Sequence, residues 1–394
     1  MFWLELLAAM ALTLAALATG TRAMAMDGLD AALGKALFDR QWVAAPASTD
    51  TADGLGPLFN ARSCTACHQG GTGARFPAGK DGRAPDGLVV RLTDGNGAPH
   101  PVLGRQLQTH AIAGFAAEGR TTWQNGGVRV TLAEPSQAVR QEVRQAPGLR
   151  AMQMIEQVDE DAILRTADPD DANGDGISGR VRKVGDGKGG TAAGRFGLKA
   201  SHATLDTQIA DAFAFDLGLS SLSEPRPSGD CTAAQAKCLR APSGVSAATE
   251  NQELSRQMIA LTADYLRTLR PQRAAAPPPA LFISTGCAAC HAPALPARGG
   301  QTATLYSDLL LHDLGAQDGG VVKEADAETS EWRTAPLVDL AADGGRRRFM
   351  HDGAAATLED AIARHGGEAE SSATAFRALN RKDKDALLQF LSSL

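Results

Sequence analysis

The sequence predicts a mainly α-helical chain in two domains joined by a proline-rich link, with long loops and a few short strands. Three observations carry that expectation. A five-residue pattern, Cys-x-x-Cys-His, occurs twice, at Cys64 to His68 and at Cys287 to His291, more than two hundred residues apart. The stretch Ala274 to Ala280 holds three consecutive prolines and marks a boundary between the two copies. Apolar residues recur at helical spacing in several segments, while strand-like alternation is confined to short runs.

The elements follow in order. Leu29 to Phe38 reads as an apolar-faced helix, and the loop through Leu58 and Phe59 delivers the first motif. Residues 70 to 100 are Gly-rich with few apolar repeats and predict a long loop. Leu88 to Leu92 and Val128 to Leu132 alternate enough for short strands. Ala151 to Arg165 and Gln208 to Phe215 are helical. So is Asn251 to Leu269, with Leu254, Met258, Leu261, Tyr265 and Leu266 as its apolar positions, and Pro271 ends it. Beyond the link, a short helix enters Cys287, and helices follow over Thr357 to His365 and Lys382 to Leu391.

The motif has a chemical reason. Two thiols at this spacing form thioether links to haem vinyl groups, and the adjoining histidine becomes an axial ligand of the iron. A lone Cys-x-x-Cys also suits a thiol–disulfide pair or half a zinc site, but zinc needs further grouped ligands at each copy. The expectation is therefore two cytochrome c-like haem domains, over 24–273 with insertions and over 274–394, preceded by a signal peptide over 1–23. That leader rests on the apolar run Phe2 to Ala18 and the small residues at Ala23 and Ala25. Its only charge is Glu5, so a retained anchor is the alternative. Either way the rest works in the periplasm, and covalent haem c demands the same export.

The 394 residues carry a formal net charge of -6 with both signs mixed, which excludes a nucleic-acid footprint. No segment after the leader is apolar enough to span a membrane. Arg346 to Arg348 is a candidate patch for steering a redox partner, or a solvated face. Cys231 and Cys238 lie outside the motifs, in a Pro/Ser/Gly-rich stretch, and read as a disulfide closing a short loop or as two buried thiols. Asp171, Asn173, Asp175 and Gly176 resemble the start of a calcium loop, but Arg182 stands where the bidentate glutamate belongs. An Asx-turn loop is the alternative.

His68 and His291 are the proximal ligands of this reading. Six further histidines, His100, His110, His202, His312, His351 and His365, compete for the sixth positions, as do Met152 and Met154. An iron with six ligands stores and passes electrons, whereas an open one binds peroxide or another small molecule. Trp123 and Trp332 are packing residues or rings between the haems, and Arg333 is a candidate partner for a propionate.

Six stretches carry a family likeness. They are Gly54 to Cys64, Asp175 to Arg180, Gly194 to Lys199, Leu309 to Gly315, Glu331 to Thr334 and His351 to Gly353. Through them the chain resembles the bacterial di-haem oxidoreductases, often labelled thiol oxidoreductases. That family is related to di-haem cytochrome c peroxidases and to the di-haem enzyme that matures a tryptophan-derived quinone cofactor.

The resemblance implies that the haem receiving electrons takes its sixth ligand about fourteen residues beyond His-Asp-Gly, which reaches His365 from His351. Histidine there, in place of Met or Tyr, implies a lower-potential haem. It also implies an acid–base glutamate ten residues after a glutamine, a spacing that Glu118 and Gln108 reproduce. A surface glutamate, or His110 closing the first iron, are the alternatives. The function implied is a peroxidase-like di-haem enzyme. It would take electrons from a small cytochrome or cupredoxin at the C-terminal haem and pass them to the N-terminal one. A pure electron carrier and an enzyme oxidising residues of a partner protein are the rivals. A homodimer is left open.

Overall fold

The computed structural model describes residues 28–48, 53–76, 82–134, 139–316, 320–341 and 346–394. The expected leader lies outside them. The described residues are 31% helical and 19% strand, with their strands in small antiparallel sheets, so the fold is mixed rather than mainly α with cytochrome c-like domains. Both strands expected here, Leu88 to Leu92 and Val128 to Leu132, form, and the excess comes from the partners they pair with and from short pairs elsewhere. Leu88–Thr93 pairs with Arg140–Gln145, and Gly119–Gln124 pairs with Gly127–Leu132. Val90, Leu92 and Leu107 bury one face of the first pair, while its charged residues occupy the other. The second pair turns at Asn125 and Gly126, both at positive φ (53° and 76°), which is the two-residue hairpin geometry that an Asn-Gly pair favours.

The larger core gathers a helix over 28–39, Met152–Gln157, Glu160–Thr166, Leu205–Ala212 and Arg256–Thr268. Helix Arg256–Thr268 starts where Ser255 Oγ accepts the Met258 N–H at 3.2 Å, and it stops three residues before Pro271. Helix 28–39 crosses it at Gly34, where a Cβ would stand 1.8 Å from the Leu261 carbonyl oxygen. The single helix expected from Ala151 to Arg165 is two. Val158 leaves helical geometry to bridge Ala297, and the Asp159 N–H donates to Pro296 O at 3.0 Å. That contact draws the pair Leu295–Ala297 and Gln301–Ala303 into the larger core, with Leu305, Leu309 and Leu310.

A second core forms around Phe282, Tyr306, Phe376, Leu387 and Leu391. Its helices are Ala280–Ser284, Leu358–Ala363, Glu370–Ala378 and Arg381–Ser393. Thr357 and Asn380 cap two of them through side-chain oxygens that accept the Asp360 and Asp383 N–H groups, each at 3.0 Å. Leu311–Asp313 pairs with Glu331–Arg333 between the two cores. Among the described residues, no helix is long and apolar enough to cross a membrane.

Candidate functional site

Helix Ala280–Ser284 runs into Gly286, whose φ of +84° turns the chain into the one-turn segment Cys287–Ala289. The His291 N–H closes back on Cys287 O at 2.9 Å, so both thiols and the imidazole share one tight turn. His291 Nδ1 lies 2.9 Å from Tyr306 O. A carbonyl only accepts, so Nδ1 carries the proton and Nε2 keeps a free lone pair. Tyr306 is fully buried and held edge-on by Phe282 and Phe390.

His365 stands across from His291, just beyond helix Leu358–Ala363, and donates its own Nδ1–H to Ala361 O at 2.8 Å. The two ring centres are 6.4 Å apart. Two metal–imidazole bonds of about 2 Å plus the two half-rings add up to about 6 Å. The pair therefore has the spacing and tautomers to hold one metal ion between them. Both rings line a cavity of about 330 Å³ together with Cys287 and Cys290. Burial pushes His291 down to about 4, which keeps it in the neutral form a metal needs.

The first motif repeats this local geometry on an unrelated flank. Cys64–Cys67 is one helical turn, the His68 N–H bonds Cys64 O at 2.9 Å, and His68 Nδ1 lies 3.0 Å from Pro147 O. Burial again lowers the imidazole to about 4, and it raises the Cys64 and Cys67 thiols to about 12, with the nearby Asp216 adding to the shift. Asp216 sits in a wide π-type turn, Phe213–Leu217. Its carbonyl accepts the Asn60 and Ala61 N–H groups, and Gln106 Nε2 donates to its carboxyl at 2.7 Å.

Gln106 bridges Arg91, and behind it Arg91, Arg105 and Arg144 bring their guanidinium groups together. Arg91 Nε and Nη1, Arg105 Nε and Arg144 Nη2 are buried N–H donors with no partner. Unpaired buried donors are costly, at about 1–3 kcal/mol each. They fit a site completed by an anionic group, such as the two carboxylates of a porphyrin.

The sequence profile of the family described as "Di-haem oxidoreductase, putative peroxidase" matches residues 116–394. The chain belongs to that family. The matched stretch takes in the second motif and His365, and it starts beyond Cys64 to His68. No curated protein matches this di-haem oxidoreductase. A solved structure of Kuenenia stuttgartiensis hydrazine synthase pressurised with 20 bar xenon is similar at 21% identity, with a TM-score of 0.25. The overlap covers 37% of the di-haem oxidoreductase and 57% of that chain, and so slight a likeness carries no argument.

Glu118 and Gln108 of the di-haem oxidoreductase do come together. Glu118 is buried, with Oε2 accepting the Gln108 N–H at 2.8 Å and Oε1 accepting Gln235 Nε2 at 2.5 Å. Burial raises this carboxyl to about 7. The Gln108 side chain is spent on Asn60 Nδ2, Gln106 O and Phe215 O.

The other candidates disperse. His110 is exposed and stacks on Phe59, His202 lies 3.9 Å from Asp211, and His100 accepts two turn N–H groups. Met152 and Met154 pack in the larger core. His351 stacks on Trp332 at 3.7 Å beside the cavity, and Trp123 packs on Phe76. Arg333 is buried at the cavity wall on Gly197 O and Thr334 O. In the basic run, Arg347 and Arg348 bind backbone carbonyls rather than presenting a free patch.

Cys231 and Cys238 are joined as a disulfide, Cα to Cα 6.0 Å. In the acidic loop, Asp171 accepts the Gly176 N–H and Asp175 the Ile177 N–H, the Asx-turn arrangement. His312 is bound at both nitrogens by Asp308 and Glu368. The sequence reading missed those two carboxylates, the arginine trio and the carbonyls of Pro147 and Tyr306. Only Glu368 left a trace, an acidic residue three places beyond His365.

Proposed function

We propose that this di-haem oxidoreductase carries two covalent haem c groups in the periplasm and reduces peroxide with electrons from a small redox protein. Cys64 and Cys67 would fasten one group with His68 as ligand, and Cys287 and Cys290 the other with His291 and His365. The observation that carries the reading is the facing pair His291 and His365, each with Nδ1 spent on a carbonyl, at 6.4 Å. Bound in this way, the two irons supply one-electron storage and, where a position is open, reduction of a peroxide bond.

The chain's own groups supply the rest. Buried Glu118, raised to about 7, can hold or release a proton at Oε1 near neutral pH. Arg91, Arg105 and Arg144 offer the unpaired donors that would seat propionates. The Cys231–Cys238 disulfide suits an oxidising compartment. Calcium forms no part of this reading, because the carboxylates that would bind it are engaged by backbone N–H groups.

A second reading, a pure electron carrier, is favoured by one observation: both Glu118 oxygens and the whole Gln108 amide are already hydrogen-bonded. A pyridine haemochrome of two c-type groups per chain tests the common ground. Spectra of the half-reduced protein then separate the readings. A high-spin haem that reacts rapidly with hydrogen peroxide is expected, and two low-spin haems in every redox state would leave only the carrier.

A further inference from the structure

Beside the axial pair, on the wall of the same cavity, lies a buried charge cluster that neither reading uses, with His312 Nδ1 also 3.7 Å from Cys290 Sγ. His312 Nε2 is 2.9 Å from Asp308 Oδ2, and His312 Nδ1 is 2.8 Å from Glu368 Oε2. All three residues are largely shielded from water, with His312 only 4% exposed. Ionised carboxylates only accept, so both ring nitrogens carry protons and the ring is an imidazolium between two anions. His312 is thereby excluded as an iron ligand.

Each arm of the cluster leads to one axial histidine. The Asp308 N–H bonds Cys290 O at 3.0 Å, next to His291, and Asp308 lies two residues beyond the Tyr306 carbonyl that orients that ring. Glu368 lies three residues beyond His365. The link between them, Gly366 and Gly367, is laid against the strand that carries His312. A Cβ on Gly367 would stand 2.3 Å from Asp313 O, and Glu368 Oε1 also accepts the Asp313 N–H at 3.1 Å. The cluster thus bridges two segments that are far apart in sequence and have no other ion pair joining them at this point among the described contacts.

The N-terminal half reaches the same cluster. Ser178, at the end of the acidic loop, donates its N–H to Glu368 Oε2 at 3.1 Å and its hydroxyl to Oε1 at 2.9 Å. Gly179 follows, and a Cβ there would stand 2.6 Å from His312 Cε1. With no side chain at 179, the loop can close onto the imidazolium.

We propose that Asp308, His312 and Glu368 form an ionic clamp that positions His365 opposite His291, with Ser178 tying it to the N-terminal loop. This rests on the reading of His291 and His365 as ligands of one haem iron. The three are positioning residues: both His312 nitrogens are taken by Asp308 and Glu368, so the cluster acts on the iron site through the segments that carry His291 and His365.

The test uses the holoprotein and the variant Glu368→Ala. The expected result is loss of the low-spin signal of one haem and uptake of one more carbon monoxide per reduced chain. Added imidazole should restore the low-spin spectrum, as it should in His365→Ala. A merely structural role would lower the melting temperature and leave spectrum and carbon monoxide uptake unchanged, and that outcome overturns the clamp. If Glu368→Ala fails to load two haems, Glu368→Gln carries the test. At least tenfold faster cyanide binding at the C-terminal haem supports the clamp, and an unchanged rate overturns it. A wild-type spectrum without a bis-histidine haem would sink the underlying ligand reading itself, before any variant is compared.

Discussion

A histidine becomes a dependable metal ligand only when its other nitrogen has a fixed partner, and three imidazoles here meet that condition through backbone carbonyls. His68, His291 and His365 bond Pro147 O, Tyr306 O and Ala361 O. His68 and His291 were legible in the sequence because thioether chemistry needs contiguous residues, and His365 only through the family resemblance. Their carbonyl partners were not, since any residue can supply a carbonyl and only the fold decides which one arrives. His365→Ala should convert one low-spin haem to high spin without loss of haem, read from absorption and paramagnetic resonance. Glu118→Gln should cut peroxide turnover at least tenfold with unchanged haem spectra; unchanged turnover would remove Glu118 from the acid–base role.

Glu253 gives a residue-scale prediction about pH. Its buried carboxylate accepts Ser220 N, Ser220 Oγ and Gly244 N, and burial raises it to about 7. An acid raised on folding binds its proton more tightly in the native state. Its contribution is therefore full below the unfolded value near 4.5 and is lost as pH climbs through 7. Thermal melts of Glu253→Gln should show a flatter decline between about pH 5 and 8 than the parent protein.

At the scale of elements, the helices and two strands, Leu88 to Leu92 and Val128 to Leu132, were readable, whereas the partners those strands pair with were not. Ser255, Thr357 and Asn380 announce helix starts because their side chains replace missing backbone partners. The hairpin at Asn125 and Gly126 left an equally good signal, and alternation showed its second strand, Val128 to Leu132; its first, Gly119–Gln124, buries only Trp123 and does not stand out. Packing of helix on helix depends on Gly34. Gly34→Ala drives a methyl into the Leu261 carbonyl and should cost about 1–3 kcal/mol in urea unfolding. Gly28, on the same helix with open space around it, should tolerate alanine with little change.

Across the whole molecule, the proline link is a boundary in sequence that the larger core does not respect. Leu295, Leu305, Leu309 and Leu310 follow the link, yet pack with Trp42, Ile155 and Leu254. Periodicity sees only neighbours along the chain, so it could not show that these leucines serve the distant core. A fragment covering 274–394 should expose them, and its unfolding by circular dichroism should be broad rather than cooperative.

The indole of Trp332 is sandwiched, with His351 on it at 3.7 Å and the Lys199 ammonium 4.0 Å from its ring centre. Three carbonyl oxygens anchor that ammonium, and burial lowers it only to about 8, so it stays charged at neutral pH. A fixed positive charge at that range makes withdrawal of an electron from the ring harder by about 4 kcal/mol at an effective dielectric of 20. The ring is thereby shielded from becoming a radical, and alkaline solution should remove the shield.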